Sequence, residues 1–326
     1  MNWHKTNLAL IMILCIIDIF LAIFLYNAYK KTELVPDNLI VEATENLAMR
    51  GITFDKEIID TKKHQKYVYL YSADTAFAKE MKEDAKNSSP SLISAIAFLS
   101  GISENDETNS IKYFDIPTGT SISVTDREEK VLGSAAITGI TGFEYTSAGF
   151  DSTKVAEIIK KDKLYADCSA KAQKLPSIIK SFFEKTYGNT VSGKAVHISQ
   201  YDGGKIVTTL LCADGVYVHN MILSFYIKNN EILYVEGNMF FDEPAKDTDT
   251  RITDGINILF NLPENTEGDI YVTSQHLEYT LFEASSKQNY LVPSWIITYI
   301  SSENPNEEKH IILNAITGSS IERVLY

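Results

Sequence analysis

The sequence predicts an α+β protein: an amino-terminal transmembrane helix, then helices packed on antiparallel sheets in two outer subdomains. Three observations carry that expectation. Leu8 to Leu25 reads LALIMILCIIDIFLAIFL, 18 residues with a single charge. Helical patterns at residues 152–163 and 176–187 precede four strand patterns, at 195–201, 205–213, 216–227 and 231–240. Between those strands stand Asp202-Gly203-Gly204, Asp214-Gly215 and Asn229-Asn230. Such residues tolerate positive φ, so they close hairpins and the sheet is antiparallel. Helices followed by an antiparallel meander cover one face of a sheet.

Composition bounds the class. The chain has 326 residues, 44% apolar and 22% charged, which fits a folded protein of two domains or one large one. The formal net charge of −13 repels phosphate backbones, so no nucleic-acid partner is expected. Three cysteines are too few for a disulfide scaffold or a Cys-rich zinc module.

The apolar run would extend ~27 Å as a helix, close to the thickness of a hydrocarbon core. Trp3 stands before it and Tyr26 and Tyr29 follow, at the places of an aromatic belt; Lys5 and Lys30-Lys31 flank it. It is longer than a signal-peptide core, and no small residue at Leu25 or Tyr26 pairs with Ala28 for cleavage. Residues 1–31 are therefore expected to be a short cytoplasmic tail and an uncleaved, single-pass anchor in the cell membrane, with the carboxy-terminal domain extracytoplasmic. Asp18 lies near the middle of the run, where an ionisable group costs a few kcal/mol. Leu14, Cys15, Leu21, Ala22 and Leu25 share its helical face. Two readings stay open: contact with a partner's helix, or a protonated Asp18 tolerated in lipid.

Outside the anchor, a helix is expected over residues 39–49, stopped by Gly51, with strands at 52–60 and 66–72. Helices are expected at 74–86 and 91–99, and strands and turns over 112–145. A further helix is expected at 249–260, then strands at 269–282, 291–301, 310–313 and 321–324. The subdomains are placed at 32–165 and 166–326, with a last helix–meander repeat at 247–326.

Motifs that resemble chemistry fail on context. Gly188 to Ala195 nearly matches a phosphate loop, but a helix precedes it, a strand follows it, and Ala195 has no hydroxyl for magnesium. Ser177-Ile-Ile-Lys180 has no accompanying K-T-G, and His276-Leu-Glu278 lacks P-C-x-x-C. His4, His64, His197, His219, His276 and His310 include no pair at helical ligand spacing. No catalytic, cofactor-binding or metal residue is assigned, and no cofactor is expected. Cys168 and Cys212 either pair or remain buried thiols.

Three segments carry a family resemblance: Met1-Asn2-Trp3 with Asp18-Ile19-Phe20-Leu21-Ala22; Leu291-Val-Pro293-Ser-Trp295-Ile-Ile; and Ile312-Leu-Asn314-Ala315-Ile-Thr317-Gly318. The last two are similar to a "VPxW" strand and an "NAxTG" strand and turn. The layout resembles the YycH/YycI family of membrane-anchored regulators, and by length the YycI type. That resemblance implies a non-enzymatic protein. It would modulate a sensor histidine kinase of WalK/YycG type, alongside a YycH-like partner, and so affect cell-wall homeostasis. It makes Pro293, Trp295, Asn314, Ala315, Thr317 and Gly318 structural residues of the last sheet. N-A-x-T-G turns also occur in PepSY-type domains. This gives PepSY-like repeats as the expected form of the outer subdomains. It also gives an alternative reading, an anchored PepSY-like protease inhibitor or cell-wall maturation factor.

Overall fold

A computed structural model of the chain describes residues 18, 19, 21, 35–62, 64–71, 89–102, 111–116, 119–162, 173–213, 215–242, 244–262, 268–283 and 289–321. The expected α+β class with an amino-terminal transmembrane helix is corrected: the described residues are mainly β, with fourteen strands against four short α-helices. None of the described helices is long and apolar enough to cross a membrane. Of the expected anchor only residues 18, 19 and 21 are described, and they are helical.

The helices are α1 (Asp37–Met49), α2 (Pro90–Ser100), α3 (Thr153–Asp162) and α4 (Ser177–Tyr187). The first six strands are β1 (Ile52–Phe54), β2 (Gln65–Tyr71), β3 (Ile111–Ile116), β4 (Gly119–Thr125), β5 (Val131–Thr138) and β6 (Gly142–Ser147). Then come β7 (Val191–Tyr201), β8 (Gly204–Ala213), β9 (Val216–Lys228) and β10 (Glu231–Asn238). The last are β11 (Ala245–Arg251), β12 (Ile270–Glu283), β13 (Asn289–Ser301) and β14 (Asn304–Asn314). The helix expected at 74–86 lies outside the described residues, as does all but Ile321 of the strand expected at 321–324.

The helix expected at 249–260 is a second correction. Its place is taken by the end of β11 and a 3-10 turn, Asn257–Asn261. The run Asp247-Thr248-Asp249-Thr250 explains this, because such side chains compete for backbone groups and disfavour a helix interior. Asp254 then accepts from the Asn257 N–H at 2.9 Å, fixing a turn where the helix would have continued. The repeat expected at 247–326 therefore opens on a strand and a 3-10 turn.

The chain divides into two compact units. The larger comprises residues 67–250, 276–296 and 320–326. Its ladder runs β7-β8-β9-β10-β6-β5-β4-β3, antiparallel at each step. The expected hairpin turns have the required backbone: φ is 45° at Asp202, 73° at Gly203 and Gly215, 53° at Asn229 and 62° at Asn230. The β6–β10 pairing, Tyr234 opposite Thr146, joins residues on both sides of position 165. One sheet face takes α2 and α4. Leu92, Ile96, Ile179 and Phe182 bury there against Ile122, Tyr145 and Phe225, with Phe182 edge-on to Phe225 at 5.2 Å. The other face takes α3, whose Val155 and Ile159 pack on Ile206, Tyr226 and Tyr234. Gly193, from the phosphate-loop lookalike, sits in β7 under the Phe183 ring, which a Cβ there would overlap.

The smaller unit comprises residues 1–66, 251–275 and 297–319. Here α1 packs on β1 and on the 3-10 turn. β1 pairs in parallel with the start of β12, Ile52 opposite Ile270. Buried Gln275 ties the interior: its Nε2 donates to Gly255 O at 2.6 Å, and its Oε1 accepts from the Asp60 N–H at 3.2 Å.

Candidate interaction site

Asp18 and Leu21 are exposed and helical, whereas Leu14, Cys15, Ala22 and Leu25 lie outside the described residues. The family-motif residues are structural in their surroundings. Pro293 and Trp295 are buried in β13. Asn314 closes the turn after β14: its Oδ1 accepts from Ile316 N at 2.9 Å and Thr317 N at 3.2 Å. Gly318, at φ 74°, donates its N–H to Asn314 O at 2.8 Å, and Ala315 O accepts from Thr253 N at 2.7 Å.

A different surface stands out in the smaller unit. Pro36 opens α1, and the neighbouring Val35 N–H is anchored on Thr61 O at 3.0 Å. Along α1 only Ala43 and Leu47 are fully buried. Leu39 (48% exposed), Val41 (48%) and Met49 (78%) remain in solvent. Leu39 continues the stripe of Ala43 and Leu47, whereas Val41 and Met49 exceed what a stripe facing its own core requires. Along Leu39 runs a groove of about 240 Å³, lined by Val35, Leu39, Ala43, Ile256 and Phe260 together with Glu42, Asn46 and Asn257. Arg50 fixes the far wall through a hydrogen bond to Phe260 O at 2.8 Å. The groove mixes apolar side chains with one carboxylate and two amides, and no described lining residue carries positive charge. It fits an apolar anchor side chain followed by a basic residue.

Sequence reading missed this groove because residues 249–260 were assigned to a helix. The usable signal was the surplus of apolar residues on α1: Val41 and Met49 lie off the stripe that Leu39, Ala43 and Leu47 share.

Other polar clusters in the larger unit have a structural character. Glu278 is 1% exposed and accepts from or pairs with His219 Nδ1 at 3.2 Å through Oε2, while its Oε1 has no hydrogen-bond partner. Burial pushes the Cys212 thiol up to about 11, so it is protonated at neutral pH and a poor nucleophile. The Tyr234 hydroxyl has one proton to share between Glu144 Oε1 at 2.9 Å and Glu236 Oε2 at 3.2 Å. Burial and those two carboxylates raise its pKa. Among the described residues no group of three His, Cys, Asp or Glu is placed to hold a metal.

No protein-family model matches the chain, and no curated protein matches it. A solved crystal structure of an uncharacterized protein from Eubacterium rectale is similar at 12% identity, over 83% of this chain and 91% of that one, with a TM-score of 0.45.

Proposed function

We propose that the chain is a non-enzymatic regulatory protein, held at the cell membrane by the apolar run Leu8–Leu25 with the remainder extracytoplasmic. It modulates a two-component sensor histidine kinase of WalK/YycG type, in company with a YycH-like partner, and so affects cell-wall homeostasis. The observation that carries this reading is the groove beside α1, with half-exposed Leu39 in its wall. That helix begins twelve residues after the apolar run ends, which puts a docking surface within a short tether of the membrane. A partner in the same membrane meets such a surface at high effective concentration. Regulation then follows from differential binding: docking that favours one kinase state tenfold shifts its equilibrium by ~1.4 kcal/mol.

The test is affinity capture of the full-length protein from gently solubilised membranes, with mass spectrometry of what accompanies it. Recovery of a two-transmembrane sensor kinase, lost with Leu39→Asp, is the expected result. A protease in its place would favour the PepSY-like alternative, and an unaccompanied bait would reject the regulatory reading.

A further inference from the structure

We propose that the larger unit has a ligand-binding cleft for a small amphiphile carrying a primary ammonium group. The cleft encloses about 410 Å³. That falls within the range of small-molecule sites, roughly 300–1,000 Å³. Its apolar side chains are Phe98 and Leu99 from the end of α2, Ile178 from α4, Leu132 from β5, and Ile232 and Leu233 from β10. Its polar groups are Ser100, Tyr145, Ser147 and Glu231, and no described lining residue is Lys, Arg or His.

The hydroxyl donors of the lining are already used. Ser147 hydrogen-bonds the Tyr145 phenol, and Tyr145 OH donates to Leu99 O at 3.1 Å. Ser100 Oγ donates to Ile96 O at 2.6 Å. What these groups leave toward the cleft is acceptor capacity: hydroxyl lone pairs and the Glu231 carboxylate. The α2 helix also ends here, at Gly101 in the left-handed region (φ 69°), and a helix C-terminus carries partial negative charge.

Glu231 is exposed at the start of β10. Lys228 lies opposite it in the β9–β10 ladder, but the Lys228 ammonium goes to Asp202 Oδ2 at 2.9 Å. Glu231 makes no ion pair among the described residues. A cleft that combines apolar side chains with acceptors, one exposed carboxylate and a helix C-terminus selects a ligand with an apolar body and several donors on a cation. A primary ammonium has three donors and a full charge, whereas an alcohol lacks the charge and a carboxylate has the wrong sign.

The experiment uses the full chain in lipid nanodiscs, with 4-phenylbutylamine as probe and saturation-transfer NMR as readout, corrected for empty nanodiscs. 4-Phenylbutanol and 4-phenylbutyrate are the controls. The amine is expected to bind with Kd on the order of 1 mM, the scale for about eleven heavy atoms. The alcohol should bind ~5-fold more weakly and the carboxylate not measurably. Glu231→Gln should bring the amine down to the alcohol's affinity without changing the alcohol. Leu132→Trp should fill the cleft and remove both, with thermal unfolding confirming that each variant is folded. Equal binding of amine and carboxylate, an unchanged amine affinity in Glu231→Gln, or no amine binding at ~10 mM would each overturn the assignment.

Discussion

Arg50 clamps Phe260. Its Nη1 donates to the Phe260 carbonyl at 2.8 Å, and its guanidinium lies 5.9 Å from the centre of the same residue's ring. The planar guanidinium makes both contacts at once, so the 3-10 turn is held against the end of α1 and the groove keeps its width. Lysine is a point charge and cannot reproduce the pair. Arg50→Lys should therefore cost little stability, under ~1 kcal/mol for an exposed contact. It should still weaken recovery of the partner severalfold, as measured by quantitative capture beside a urea melt. Full recovery with Arg50→Lys would show that the clamp does not shape the docking surface.

Leu39 and Leu47 share α1 but separate docking from folding. Leu47 is fully buried, so Leu47→Ala should lose ~2–5 kcal/mol of stability. Leu39 and Met49 are exposed, so Leu39→Asp and Met49→Asp should stay within ~0.5 kcal/mol of the parent. Leu39→Asp, in the groove wall, should nonetheless abolish partner recovery. A collapse in stability for the Asp variants would mean that these side chains serve the fold.

How much of this was legible depended on the range of the interaction. The β7–β10 meander could be read because its turns need positive φ and the sequence supplies Asp-Gly and Asn-Asn there. α1, α3 and α4 were found within two residues at each end, because an apolar stripe repeats locally. The fold class failed because the strands pair across distances that local periodicity does not record. β1 finds β12, Ile52 opposite Ile270, and β6 finds β10, with a helix pair and three strands between them in the chain. The groove was hidden for the same reason, since Arg50 and Phe260 stand 210 residues apart.

The buried Glu278 supports a double-mutant cycle. His219→Ala should leave the buried Glu278 side chain without its hydrogen-bond partner and cost ~1–3 kcal/mol, because an unsatisfied buried polar group is expensive. Glu278→Leu removes the buried polar group together with its unpartnered Oε1, so it should be neutral or slightly stabilising. The double variant should recover most of what His219→Ala lost, a coupling that denaturant melts of all four proteins would measure. Simple additivity would show that the pair does not interact.

Asp60 sets the acid limb of stability in the smaller unit. Burial pushes its pKa up, but the His64 side chain at 2.9 Å and the Lys62 N–H at 2.9 Å outweigh that and hold the carboxyl below its ordinary value of 3.8. A carboxyl depressed in the folded state stabilises the fold at every pH above its unfolded value. That stabilisation is lost as pH falls through the folded value, because the unfolded chain then takes up the proton more readily. The parent should therefore lose urea stability more steeply than Asp60→Asn as pH drops from ~5 to below 3.8. The two curves should run parallel between pH ~5.5 and 6, where the carboxylate is ionised in both states. Parallel curves through the acid range as well would show that Asp60 gains nothing from His64 and Lys62 on folding.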